Sequence, residues 1–215
     1  MKSIILVQHC QSEHHVNDLT GGWTDTPLTE FGRRQAGLIA DRLKRELAGV
    51  PCRLLSSDLM RAFQTAEIIG SAIGLEPVAV RALREGNSGE ATGKTKEWAR
   101  QNIAPKTEPL LDWRPFPGAE TWREFHARVT RCMDELAKGD GRTLLIVTHG
   151  GTLGCIVTWW LRLDIERMPD AAPFVANPGS ITVLKMSEYG KPVLDRLNDQ
   201  AHFYAEGLAR PLLKL

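Results

Sequence analysis

Ser3-Ile4-Ile5-Leu6-Val7-Gln8-His9-Cys10-Gln11-Ser12 and Thr143-Leu144-Leu145-Ile146-Val147-Thr148-His149-Gly150-Gly151 share one design: a short apolar run that breaks off at a histidine. Apolar, β-branched runs without polar alternation read as strands covered on both faces. Residues 52–55 form a third such run, ending in Ser56-Ser57-Asp58, with Arg61 just beyond. Between these runs the period changes. Leu28, Phe31, Ala36, Ile39, Leu43 and Leu47 recur at helical spacing, so a helix is expected over 29–47, closed by Gly49 and Pro51. Asp58 is the expected N-cap of a helix over 59–73 that stops at Gly74. Further helices are expected over 120–136 and 151–163, and further extended runs at 77–80, 181–185 and 193–198.

Strands alternating with helices imply βαβ crossovers. The expected fold class is therefore α/β: a mainly parallel sheet with helices on both faces, in one domain over 1–215. Residues 84–118, polar and rich in Gly and Pro, are expected to form a small lid excursion. Parallel sheets carry their sites beyond the carboxyl ends of the strands. His9, His149 and Arg61 all stand there, beside helix N-termini whose unpaired N–H groups attract anions. Taken singly, each has a structural reading as a satisfied strand-end histidine or a surface arginine. Together they define a candidate phosphate or carboxylate site.

Composition bounds the partners. The 215 residues carry 27 Lys+Arg against 26 Asp+Glu, a formal balance of +1. That balance argues against a broad basic surface for nucleic acid and leaves room for a local cationic pocket. Four widely spaced cysteines without a C-x-x-C pair give neither a zinc knuckle nor a disulfide framework. The apolar run at 4–7 is too short for a signal core and that at 153–161 too short for a membrane span. A cytoplasmic protein without membrane attachment is expected. The edge position of a late strand leaves a homodimer open.

Leu6-Val7-Gln8-His9-Cys10-Gln11-Ser12 resembles the Leu-Val-Arg-His-Gly-x-Ser/Thr opening of the histidine phosphatase superfamily, the phosphoglycerate mutase-like proteins. The resemblance continues through Gly22-Trp23-Thr24-Asp25-Thr26-Pro27-Leu28-Thr29-Glu30-Phe31-Gly32 and Ser56-Ser57-Asp58-Leu59-Met60-Arg61-Ala62. It resumes at Leu83-Arg84-Glu85, Pro117-Gly118-Ala119-Glu120-Thr121 and Val147-Thr148-His149-Gly150-Gly151. The resemblance implies His9 as the nucleophile that becomes phosphohistidine, and Arg61 and His149 as ligands of the phosphoryl oxygens. It implies Glu85 as the acid that protonates the leaving alcohol and then deprotonates water. Gln8, His15, Gly22, Trp23 and Gly150 are the implied substrate-binding positions. No metal and no cofactor are implied, and the partner is a small-molecule phosphate ester. The chemistry has matching requirements: a nucleophilic imidazole must be neutral with its tautomer fixed, and a carboxyl donating near neutral pH needs burial or negative charge beside it.

The departures fall on the phosphate pocket. Gln8 stands where the family has arginine, Cys10 where it has glycine, and His15 where it has asparagine. Losing the arginine removes a charge and a bidentate fork. Three explanations stand: a pocket retuned for another ester, a weakened phosphatase, or a binder that no longer turns over. His14 or His15 would restore charge if protonated. Two other readings are a metal held by His9, Cys10, His14 and His15, and Cys10 as a thiol nucleophile, which lacks a Cys-x5-Arg loop. Phosphatase and mutase differ in the phosphoryl acceptor. The short segment between Glu85 and His149, with Lys94, Lys96, Arg100 and Arg114 as scattered basic candidates, favours hydrolysis. Trp98, Trp113, Phe116 and Trp122 in or near the excursion serve either lid packing or an apolar substrate pocket.

Overall fold

The computed structural model describes residues 3–139, 141–167, 174 and 176–208. Its strands are β1 (Ser3–Gln8), β2 (Cys52–Ser56), β3 (Val78–Ala79), β4 (Thr143–Thr148), β5 (Ile181–Met186) and β6 (Pro192–Asp199). They form one six-stranded sheet in the order β3-β2-β4-β1-β5-β6. β3, β2, β4 and β1 run parallel, and β5 and β6 add an antiparallel hairpin at one edge. The helices are α1 (Glu13–Val16), α2 (Glu30–Glu46), α3 (Met60–Ile73), α4 (Lys96–Asn102), α5 (Trp122–Ala137), α6 (Gly150–Leu161) and α7 (Ala201–Tyr204).

The two-residue period of the strands divides the core. Ile4, Leu6, Leu144 and Ile146 pack with Phe125, Val129 and Met133 of α5 and Leu153 and Ile156 of α6. Val7, Leu54, Leu145 and Val147 pack on the other face with Ala36, Ile39 and Leu43 of α2 and Ala62, Ala66 and Ile69 of α3. Strand pairing sets Gln8 beside Thr148 and Ser56 beside Val147, so β1, β2 and β4 end level. The helices that follow β1 and β4 leave on opposite faces. That divergence between adjacent parallel strands makes a crevice at the switch point of the sheet.

Local capping explains most boundaries. Thr29 caps α2 by accepting from the Gly32 N–H at 3.0 Å. Thr121 and Glu124 form a capping box that starts α5 at Trp122 rather than at Glu120. Glu120 instead pairs with Arg128. Helix α6 begins at Gly150 and ends at Leu161, because Arg162 turns left-handed (φ 56°). The expected Asp58 cap is corrected: Leu59 is the N-cap of α3, and Arg84 grips Asp58 with two bonds of 2.7 Å. The distant Asp25 accepts from the Met60 N–H in its place. The excursion over 84–118 is more ordered than its composition predicts, containing α4 and short 3-10 turns at Gly89–Ala91 and Leu110–Asp112. Trp98 stacks on Phe116 within it, with ring centroids 6.1 Å apart. Among the described residues no helix is long and apolar enough to cross a membrane.

Candidate active site

His9 follows β1 and is 4% exposed. Its Nδ1 lies 2.8 Å from the Cys10 carbonyl oxygen, so Nδ1 carries the proton and Nε2 the lone pair. Arg61, in the first turn of α3, donates from Nε to that Nε2 at 3.1 Å. The same guanidinium donates to the carbonyls of Thr24 at 2.7 Å and Gly22 at 2.8 Å. All three acceptors are neutral, so this buried cation has no hydrogen-bonded carboxylate. Burial lowers Arg61 to about 10, opposed by Glu85 and Asp25; it stays charged at neutral pH. Burial first, then Arg61, holds His9 well below the ordinary histidine range.

His149 is the N-cap residue of α6, and its ring centroid lies 5.1 Å from that of His9. Its Nε2 meets Ser57 Oγ at 2.8 Å. Burial and Arg61 hold its pKa well below the usual value as well. His149 Nδ1 and Gln8 Oε1 are buried without a hydrogen-bond partner among the described residues. Gln8 lies against Gly150, where an added Cβ would stand 3.3 Å from Oε1. Two orphaned polar atoms cost free energy unless a ligand meets them.

Glu85 is anchored rather than carried on a loose polar turn, as its neighbours in sequence imply. Oε2 accepts from the Gly151 N–H at 2.9 Å, and Oε1 accepts from Gly86 at 3.0 Å and Thr152 at 3.2 Å. The carboxylate thus sits on the N-terminus of α6. Gly151 makes that possible: a Cβ there would lie 2.5 Å from Glu85 Oε1. The Glu85 carbonyl accepts from Trp23 Nε1 at 2.8 Å and Arg128 at 3.0 Å. Arg84 and Arg81 lie over the Trp23 ring, which therefore braces the Glu85 segment. Gly22, with φ +55°, leaves no space for a side chain: a Cβ would lie 1.8 Å from Ser88 Oγ. Glu90, close to Glu85 in sequence, is exposed.

His14 and His15 lie on the single turn of α1, not on an irregular loop, with ring centroids 5.9 and 5.5 Å from that of His9. His15 Nδ1 accepts from the Ser12 N–H at 3.1 Å, which places its ring proton on Nε2. His14 is not the expected replacement cation, because burial and His15 lower it to about 3. Cys10 turns away into the apolar cluster on α2 and α3. Burial pushes its thiol up to about 12, so it stays protonated and unreactive. Among the described residues no group of three or more His, Cys, Asp or Glu side chains is disposed to hold a metal ion.

These buried imidazoles set a pH dependence. The folded pKa values of His9 and His149 lie below the ordinary value of 6.5. The unfolded chain therefore binds protons that the folded chain does not, and stability falls as pH drops through 6.5. Each should remove about 1 kcal/mol between pH 7 and 5.5. Urea unfolding at both pH values measures it, and a midpoint that does not fall in acid contradicts this assignment.

Sequence reading missed Ser57, Thr65, Thr152 and Arg128. Thr65 Oγ1 accepts from the Cys10 N–H at 3.3 Å, and Arg128 also donates to the carbonyls of Ala82 and Arg84. Ser57 reaches the His149 ring side chain to side chain and the other three act through backbone contacts, all across 40 or more residues of chain, as Cys10 to Thr65 shows with its separation of 55. No spacing rule reports such contacts.

Two imidazoles, a buried guanidinium and an anchored carboxylate thus meet in the crevice at the switch point of the sheet, an arrangement suited to an anionic ligand. The chain belongs to the histidine phosphatase superfamily, whose branch 1 model matches residues 4–200. It is 34% identical over 171 residues to the "Probable phosphoglycerate mutase GpmB" of Yersinia pestis, covering 76% of each chain. Among solved structures it resembles the mycobacterial glucosyl-3-phosphoglycerate phosphatase complexed with VO3, at TM-score 0.78 and 27% identity, over 93% of this chain and 100% of that one. The same mycobacterial enzyme with inorganic phosphate superposes at TM-score 0.76 and 27% identity, over 94% and 99%.

Proposed function

We propose that the protein is a phosphomonoester hydrolase working through a phosphohistidine on His9. The observation that carries this reading is the fixed Nε2 lone pair of His9 held against the buried Arg61, whose hydrogen-bond acceptors are all neutral. In the first step, which Glu85 enters as the carboxylic acid, Nε2 attacks phosphorus, the P–O bond to the alcohol breaks, and Glu85 gives its proton to the leaving oxygen. In the second, water attacks phosphorus, the P–Nε2 bond breaks and returns the lone pair to His9, and Glu85 takes the water's proton as inorganic phosphate leaves. Arg61, His149 and the α6 N-terminus stabilise the charge on the equatorial oxygens, which is the electrostatic work a metal would otherwise do. Gln8, His15 Nε2–H and Gly150 complete the phosphoryl cradle, while Gly22 and Trp23 hold Arg61 and Glu85 in place. The anion complexes of the mycobacterial relative support the phosphate assignment.

The similarity to GpmB raises a mutase reading, in which a second alcohol takes the phosphoryl group. That reaction needs cations for a second anionic group. The basic candidates are engaged elsewhere: Lys96 with Asp18, Arg100 with Glu97, Arg114 with Glu124, and Lys94 over the Trp98 ring. Hydrolysis is the better fit. Intact-protein mass after a basic quench of a reaction with phenyl phosphate tests it, with one added, acid-labile phosphoryl group expected. Tight binding with neither turnover nor adduct would make the protein a binder instead, and isomerisation of 3-phosphoglycerate with a bisphosphate primer would make it a mutase.

Gln8→Arg restores the missing charge beside Gly150. It should raise kcat/KM for phenyl phosphate about 10- to 100-fold. No gain would show that the pocket has been retuned around the amide rather than weakened.

A further inference from the structure

The group that protonates a leaving oxygen has to touch it, so the alcohol's carbon skeleton occupies whichever cavity Glu85 lines. A cavity of about 450 Å³ opens on Glu85 and Gly151, within the size range of small-molecule sites. Its other walls are aromatic: Trp113 and Phe116 from the excursion, Trp122 and Phe125 from the start of α5. Trp122 and Phe125 meet edge to face at 5.3 Å, giving a rigid apolar wall.

Three of the polar side chains on the lining, those of Asn87, Glu120 and Thr121, are engaged by the protein itself, which leaves the Ser88 hydroxyl as the small polar group facing the cavity. Asn87 uses Oδ1 on the Gly89 N–H and Nδ2 on the Gly118 carbonyl. Thr121 Oγ1 caps α5, and Glu120 is paired with Arg128. Lys106 is the sole cation on this lining, and it is exposed, with Nζ 6.0 Å from the Trp113 ring centre. A hydroxyl-rich sugar would lose water contacts here without replacement. A carboxylate or second phosphate would meet no buried cation on this lining.

We infer that the alcohol moiety of the substrate is a bulky, ring-bearing apolar group, and that small charged esters of the phosphoglycerate and phosphoserine kind are poor substrates. This rests on the hydrolase reading, which fixes the direction in which the alcohol departs. The phosphoryl cradle is then the part of the site common to all esters, and the aromatic cavity supplies selectivity by apolar burial.

The test compares primary alkyl esters, whose leaving groups differ little in basicity: 2-(1-naphthyl)ethyl phosphate, ethyl phosphate, phosphoserine and 3-phosphoglycerate. The kcat/KM for the naphthylethyl ester should exceed each of the others by about 30-fold or more. Trp113→Ala should shrink that ratio about tenfold, mainly through KM. Calorimetry of 2-(1-naphthyl)ethylphosphonate against ethylphosphonate provides a readout independent of turnover, with the same preference expected in Kd. Equal or better turnover of 3-phosphoglycerate or phosphoserine overturns the inference, as does equal binding of the two phosphonates. If no ester is hydrolysed yet the naphthyl phosphonate binds preferentially, the hydrolase reading falls and the cavity assignment stands.

Discussion

His9→Ala is expected to lower turnover of every phosphomonoester about 10⁴-fold or more and to abolish the acid-labile adduct. The size follows from the loss of the covalent route. Without Nε2, water would have to attack the ester directly, with no group placed to receive the phosphoryl. No neighbour is equipped to take over. Cys10 is buried in the apolar cluster with its thiol pushed up to about 12. His14 is 5% exposed and uses Nδ1 on Ser12 Oγ at 2.8 Å. His15 directs its lone-pair nitrogen to the Ser12 N–H. Turnover within tenfold of the wild type, or an adduct of unchanged amount on the variant, would remove His9 from the mechanism. Circular dichroism guards against misfolding, because the substitution leaves Arg61 Nε without its acceptor.

The sequence legibly places His9, Arg61 and His149 because one simple rule governs them: parallel strands of a sheet end on the same side. Strands β1, β2 and β4 are apolar at their centres, with Arg53 the one charged interruption, so their existence and direction follow from burial. Asp58 shows where local rules stop. A strand-to-helix aspartate suits an N-cap, yet the Arg84 fork offers two charge-assisted bonds and takes it. Asp25, 35 residues away, then fills the vacant position at Met60. Glu85 shows the same limit from the other side. Its Gly- and Ser-rich surroundings indicate mobility, but the N–H groups that fix it belong to Gly151 and Thr152, reached only after the chain has crossed the sheet. Local propensity cannot register a contact between segments separated by 66 residues. The aromatic residues in and near the excursion divide similarly: Trp98 and Phe116 stack within it, whereas Trp113 and Trp122 come to line one cavity with Glu85 only through tertiary folding.

Glu85→Gln separates the two chemical steps. The amide can neither give a proton to the alcohol nor take one from water, so alkyl ester turnover should fall about 10²- to 10⁴-fold. Phenyl phosphate has a leaving group that departs with little help. Its first step should survive, and the phosphohistidine should accumulate because the second step lacks its base. The expected record is a burst of one phenol per protein molecule followed by slow release, with the adduct visible by mass. A purely structural role predicts otherwise. Glutamine keeps one acceptor oxygen for the N–H groups of Gly86, Gly151 and Thr152, so mispositioning would slow both substrates alike and give no burst. Glu90→Gln is the matching control, since Glu90 is the competing carboxylate in the sequence and is exposed. A burst from Glu90→Gln and none from Glu85→Gln would transfer the acid–base role to Glu90. A burst from Glu85→Gln alone ties both proton transfers to the carboxylate seated on the α6 N-terminus.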